Sequence, residues 1–243
     1  MKPVARILAA EAVALDLDGT LLDTAADLAA AANFMLARLS LATLPEAAIT
    51  GFIGDGMASL VARTLQAALG ADPDPALQAR GSRLFEECYA AHLDIHTRPY
   101  PGVVEALATL ADKGLPLGCV TNKSRRFTVP LLERAGVARF LTATVCGGDV
   151  PRKKPAPDLL LHAARLLGVA PSALVMVGDS ANDILAARAA GCPVVLVSYG
   201  YRGGAAAETL GADQVVDDLA AWSHTLRRAD GQCPPLALNG TRP

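Results

Sequence analysis

Two acids one residue apart close the first apolar run of the chain: Val13-Ala14-Leu15-Asp16-Leu17-Asp18-Gly19-Thr20. Such a run reads as a buried strand. Side chains alternate along a strand, which puts Asp16 and Asp18 on the same side. Like charges this close are unfavourable unless a cation or a shared proton offsets them. The pair therefore points to a site for a hard cation and an anionic substrate, with a carboxylate available to attack. A second acid pair follows a later apolar run, in Val177-Gly178-Asp179-Ser180-Ala181-Asn182-Asp183. Carboxylate oxygens suit Mg²⁺, with waters and substrate phosphate completing an octahedron. An acid pair capping a helix accounts for one of these two acids but not for the match with the first strand.

Two further segments complete the pattern. Cys119-Val120-Thr121-Asn122-Lys123 ends an apolar run with a hydroxyl, then leads into a helix whose amides suit a phosphate oxygen. Alone, this reads as a helix cap. Lys154 stands between the Gly147-Gly148 turn and a helix and can point into a cleft; alone, it reads as part of a solvated basic loop.

The elements that must position these residues follow from periodicity. Residues 11–18 read as the first strand. Helical spacing with Gly and Pro punctuation then runs over 24–39, 45–50, 56–69 and 75–92, with no strand between. From Pro101 onward, helix and strand alternate. Helices are expected at 102–113, 125–135, 157–167, 182–190 and 219–226. Strands are expected at 115–120, 143–146, 174–177, 194–197 and 214–216. This pattern predicts an α/β fold, a Rossmann-like parallel sheet covered on both faces, with a helical block inserted after the first strand. Chemistry in such a sheet sits at the carboxyl ends of the strands, where all four segments fall. The organisation read from this is a core of residues 1–22 and 98–226, a helical insert of 23–97 and a flexible tail of 227–243.

Bulk properties narrow the function. The 243 residues carry a net charge of −2, which leaves no basic footprint for nucleic acid. No apolar stretch approaches the roughly 20 residues of a membrane span, and no secretory signal is readable, so a cytoplasmic protein is expected. The five cysteines are scattered without a Cys-x-x-Cys pair. That argues against a disulfide framework or a zinc site, and Cys119, Cys146 and Cys192 read as small buried hydrophobes.

Jointly, Asp16-Leu17-Asp18-Gly19-Thr20, Thr121, Lys154 and Gly178-Asp179-x-x-x-Asp183 resemble the four motifs of the haloacid dehalogenase superfamily. The likeness extends to about Trp222, and the helical block resembles that superfamily's α-helical cap. Within it, Tyr100-Pro101-Gly102-Val103, Val120-Thr121-Asn122-Lys123, Lys154-Pro155-Ala156-Pro157 and Tyr199-Gly200-Tyr201 are similar to the bacterial phosphoglycolate phosphatases. The resemblance implies a Mg²⁺-dependent phosphatase acting on a small phosphorylated metabolite, as a monomer or homodimer. It implies that Asp16 attacks phosphorus and Asp18 moves protons, while Thr121 and Lys154 neutralise the phosphoryl oxygens. The metal would be held by Asp16, the main chain of Asp18, Asp179 and Asp183, with Asp183 direct or in an outer shell.

Gly19, Asn122, Gly54 and Arg63 are expected at the substrate, Arg63 on its carboxylate. A solvated helix arginine is the plain alternative for Arg63. His92 and His96 have helical i, i+4 spacing that can bind metal, with an interfacial role favoured. Among rival chemistries, Asp18 argues against dehalogenation. The lack of lysine in residues 24–97 argues against a Schiff-base reaction in the cap. Sugar-phosphate or N-acetylmuramate 6-phosphate hydrolysis, a hexose-phosphate mutase and an inactive binding module remain as alternatives.

Overall fold

In the computed structural model, residues 9–201 and 210–229 are described. The chain opens with β1 (Ala9–Ala10), β2 (Ala12–Leu15) and β3 (Leu22–Asp23). Four helices follow, α1 (Ala25–Arg38), α2 (Glu46–Thr50), α3 (Met57–Leu69) and α4 (Pro75–Ala91), and the chain returns through β4 (Arg98–Pro99). Alternation then sets in with α5 (Val103–Asp112), β5 (Leu117–Val120), α6 (Arg125–Arg134), β6 (Ala143–Val145), α7 (Asp158–Leu167) and β7 (Leu174–Gly178). It continues with α8 (Ala181–Ala190), β8 (Val194–Val197), β9 (Gln214–Val216), α9 (Leu219–Thr225) and β10 (Arg227–Arg228).

Six strands form one parallel sheet in the order β6-β5-β2-β7-β8-β9. Strands β2, β5, β7 and β8 are buried along their whole length. That is why they read as unbroken apolar runs rather than alternating ones: helices cover both faces. Val13 and Leu15 pack into the cluster that holds Leu107, Leu110 and Trp222 of α5 and α9. Ala12 and Ala14 point the other way, onto Leu160 and Ala163 of α7 and Ala187 of α8. The strand order runs outward from β2 in both directions, and such a reversal leaves a crevice at the strands' carboxyl ends. Asp16 stands at that point.

The helical block leaves and re-enters through two short strands that pair with each other, Leu22 opposite Pro99 and Asp23 opposite Arg98. Leu17, Leu21 and Leu22 are fully buried at this junction, each worth about 2 kcal/mol of apolar transfer. The carboxylate of Asp27 on α1 fastens the returning segment. It accepts from His96 N at 3.0 Å, Thr97 N at 2.8 Å and Thr97 Oγ1 at 2.7 Å. Within the block, Gly81 lets α1, α3 and α4 close on one another. A Cβ there would stand 3.1 Å from Met35 Sδ and 3.2 Å from Leu65 Cδ1. Glycine inside a helix costs about 1 kcal/mol relative to alanine, so close packing is the reason for it.

Three expectations change. Strand β2 stops at Leu15, and Asp16 to Asp18 lie in the turn that follows. Helix α4 ends at Ala91; His92 turns its Nδ1 back to Cys88 O at 3.0 Å, so His92 and His96 share no helical face. Arg227 and Arg228, expected to open a flexible tail, pair in parallel with Ala9 and Ala10; the rest of that tail, residues 230–243, lies outside the described residues. Cys119, Cys146 and Cys192 are buried free thiols. Among the described residues, no helix is long and apolar enough to cross a membrane.

Candidate active site

The four strand ends meet around one ammonium group. Lys154 Nζ lies 2.9 Å from Asp16 Oδ1, 2.6 Å from Asp183 Oδ1 and 2.9 Å from the carbonyl oxygen of Val120. An ammonium has three donors, and all three are taken. Burial works against the charge on Lys154, but Asp16 and Asp183 outweigh it and hold the group above its ordinary range. The loop carrying Lys154 is bracketed by Asn122. Asn122 Oδ1 accepts from Lys154 N at 2.8 Å, and its Nδ2 donates to Lys154 O and to Gly54 O, each at 2.9 Å. Asn122, expected at the substrate, lines the cavity and holds the Lys154 loop and the helical insert with its amide.

Asp16, Asp179 and Asp183 bring one oxygen each to within 4.8 Å of one another. Each is positioned by backbone. Asp16 N donates to Val177 O at 2.9 Å, tying β2's end to β7. Asp183 sits in the first turn of α8, where its Oδ2 accepts from Asp179 N at 3.2 Å, Ser180 N at 3.1 Å and Ser180 Oγ at 2.7 Å. Ser180 and Asp183 form a reciprocal capping box. Asp179 accepts from Thr20 Oγ1 at 3.1 Å and Tyr201 N at 2.5 Å.

Gly19 makes this approach possible. Its φ is +83°, and a Cβ there would stand 2.3 Å from Asp179 Oδ2. Expected to touch substrate, Gly19 gives room to an acid of the cluster.

Burial pushes Asp16 up to about 7; Lys154 opposes the shift, while Asp183 and Asp18 add to it. Burial, with Asp183 and Asp16 beside it, carries Asp179 well above the usual carboxylate range. Three carboxylates against one ammonium leave uncompensated negative charge. An oxygen-only donor set of this kind fits a hard divalent cation such as Mg²⁺.

Asp18 stands apart from that cluster. Its Oδ1 accepts from Thr24 Oγ1 at 2.7 Å, at the start of the helical insert, and from Lys123 Nζ at 2.8 Å. Lys123 is a residue the sequence reading passes over. It is buried, and its ammonium lies 4.9 Å from the centre of the Tyr89 ring. Burial lowers Lys123, but Asp18 outweighs it and holds the group above its ordinary range. Its one signal in sequence is its place two residues past Thr121 in a lysine-poor chain.

Asp16, Asp18, Thr121 and Lys123 line a cavity of about 40 Å³, roofed by Gly54, Met57, Leu60, Phe85 and Tyr89 of the insert. Gly54, expected at the substrate, lines this cavity. Arg63 does not line the cavity; its guanidinium is largely exposed and pairs with Asp55. Asp55 also accepts from Asn182 Nδ2 at 2.6 Å, so the Gly54-Asp55-Gly56 loop is docked on the core at two points.

A parallel sheet with acids at its switch point, roofed by a helical insert, defines a class of hydrolase. Residues 13–197 match the family of haloacid dehalogenase-like hydrolases, and the chain belongs to that family. The relatives include the phosphoglycolate phosphatase of Thiobacillus denitrificans, 46% identical over 86% of this chain and 92% of that protein. That of Chromobacterium violaceum is 48% identical over 86% and 93%. A crystal structure described as a predicted phosphoglycolate phosphatase from Haemophilus somnus superposes with a TM-score of 0.82 at 31% identity, covering 86% of this chain and 95% of that one. The chain is accordingly an enzyme of the phosphoric monoester hydrolase type.

Proposed function

We propose that this enzyme hydrolyses 2-phosphoglycolate with the help of Mg²⁺, through a phosphoaspartate on Asp16. One observation carries the reading: Asp16 faces the same small cavity as Thr121 and Asp18, with Lys154 bound to its carboxylate. The names of the relatives point to the substrate. The apolar roof over Asp16 and Asp18 favours a leaving group with few hydroxyls over a sugar. In this reading, residues 23–97 act as the cap that encloses the leaving group, and residues 1–22 and 98–226 as the catalytic core.

Asp16 Oδ attacks phosphorus in line, and the bond from phosphorus to the substrate oxygen breaks. Asp18 gives its proton to the departing alkoxide, which leaves as glycolate. Water then attacks the phosphoaspartate and gives a proton to Asp18, releasing phosphate and restoring the Asp16 carboxylate. Lys154 favours the ionised form of Asp16, and Thr121 faces charge that builds on the equatorial oxygens. Asp16, Asp179, Asp183 and the main-chain carbonyl of Asp18 would hold Mg²⁺, which supplies positive charge against the anionic phosphate.

The test is kcat/KM over a panel of phosphomonoesters with Mg²⁺, for wild type and Asp16→Asn. The reading expects 2-phosphoglycolate at the head of the panel and turnover lost in the folded variant. Sugar phosphates far ahead of 2-phosphoglycolate overturn the substrate, and an Asp16→Asn protein turning over at near the wild-type rate overturns the nucleophile.

A further inference from the structure

Lys123 and Tyr89 sit where the leaving group must go. Phosphorus has to lie against Asp16 and Thr121, and the scissile oxygen has to lie against Asp18. The atoms beyond that oxygen then run into the part of the cavity walled by Lys123, Tyr89, Phe85 and Leu60. Two groups of that wall keep donors to spare. The Lys123 ammonium has three donors, and the described hydrogen bonds give it one oxygen, Asp18 Oδ1 at 2.8 Å. The Tyr89 hydroxyl, on a side chain 1% exposed, interacts with that ammonium through its oxygen, and its own O–H has no acceptor among the described hydrogen bonds. A buried O–H without an acceptor is costly and calls for an explanation, and at a cavity wall a ligand can supply one. Lys123 is also the one cation in the cavity wall among the described residues, since Arg63 pairs with Asp55 outside it.

From this we infer that Lys123 and Tyr89 form the receptor for a carboxylate on the leaving group, with the ammonium and the phenol hydroxyl each donating to it. The inference rests on the phosphatase reading above and deepens it to a substrate class. Lys123 Nζ is 2.8 Å from the Asp18 carboxylate that serves the scissile oxygen. An alkoxide oxygen and a carboxylate separated by a single carbon match so short a spacing. One methylene more carries the carboxylate past Lys123 into the apolar wall of Phe85 and Leu60, where a charge has no compensation. The class is therefore O-phosphorylated 2-hydroxyacids. Tyr89 lies on α4 and Lys123 follows β5, so the carboxylate is held from the insert and the core at once.

The experiment compares three probes in the full-length enzyme with Mg²⁺: 2-phosphoglycolate, ethyl phosphate, which has a methyl in place of the carboxylate, and 3-phosphooxypropionate. The readout is the ratio of kcat/KM for 2-phosphoglycolate to that for each of the others. Wild type is expected to favour 2-phosphoglycolate over both. Tyr89→Phe removes one oxygen and is expected to lower the ratio over ethyl phosphate about tenfold, the loss of one hydrogen bond to a charged group. Lys123→Met is expected to lower it about 100-fold.

A wild-type enzyme without preference for 2-phosphoglycolate over ethyl phosphate refutes the substrate reading itself. A wild-type preference that both variants retain refutes the receptor. So does a Lys123→Met enzyme that loses activity on both probes in equal proportion, since that result makes Lys123 a positioning residue for Asp18 alone. Should Lys123→Met fail to fold, Tyr89→Phe decides.

Discussion

Replacing Lys154 with methionine removes the one cation among the described residues that pairs with Asp16 and Asp183, and keeps nearly the same volume. The Lys154 side chain is 1% exposed and its ammonium meets two carboxylates and one carbonyl, at 2.6–2.9 Å. Removing one member of a buried ion pair costs about 3–5 kcal/mol, because the partner's charge stays buried without compensation. The Val120 carbonyl adds about 1 kcal/mol for its lost donor. Against a total stability of about 5–15 kcal/mol, the variant stays folded only by a narrow margin.

The assay is urea unfolding followed by circular dichroism in EDTA, at about pH 8 and about pH 5.5. The loss should be smaller at the lower pH. Without Lys154, the burial that already brings Asp16 to about 7 goes unopposed, so the variant's Asp16 takes up a proton and sheds its uncompensated charge. A loss below about 1 kcal/mol at the higher pH, or one equal at both, refutes the claim that Lys154 is the counter-ion of this cluster.

Other consequences are open to measurement. In EDTA, Asp16 holds its proton to about 7 in the native state against 3.8 when unfolded, so its contribution to stability falls as pH rises through that window; added Mg²⁺ should raise Tm more above pH 7 than below it, and a rise independent of pH contradicts this. Gly19→Ala places a Cβ 2.3 Å from Asp179 Oδ2 on a backbone with φ +83°, and should abolish both turnover and the Tm rise with Mg²⁺; Tm with and without the metal checks it. Asp27→Ala leaves three donors of residues 96 and 97 without their acceptor and should cost about 3 kcal/mol in thermal unfolding. Asn182→Ala cuts the bond to Asp55 that docks the cap loop, and should raise KM several-fold at a stability loss of about 1 kcal/mol or less.

The sheet was legible because its strands are short apolar runs buried on both faces, and each ends abruptly in a residue that does not belong in a core. Asp16, Thr121 and Asp179 stand out for that reason. Lys154 was legible only through family likeness, since nothing local distinguishes a buried lysine from the exposed Lys153 beside it. Side chains whose partners come from remote segments were not legible. Lys123 is buried because Tyr89 arrives from α4, and Asn122 is occupied because Gly54 and the Lys154 loop close around its amide. Arg63 has helical spacing suited to the cavity, but Asp55, eight positions earlier across a turn, takes its charge. The helical spacing of His92 and His96 is not realised, for a local reason: α4 ends before reaching His92.

The central claim is that Asp16 carries the phosphoryl group between two half-reactions. Borohydride reduces an acyl phosphate to an alcohol, so quenching the enzyme with borohydride during turnover of 2-phosphoglycolate, followed by peptide mass spectrometry, reads that claim at one residue. The account predicts homoserine in place of Asp16, present only when substrate and Mg²⁺ are both supplied. Reduction at Asp18, or at no aspartate while turnover proceeds, contradicts it.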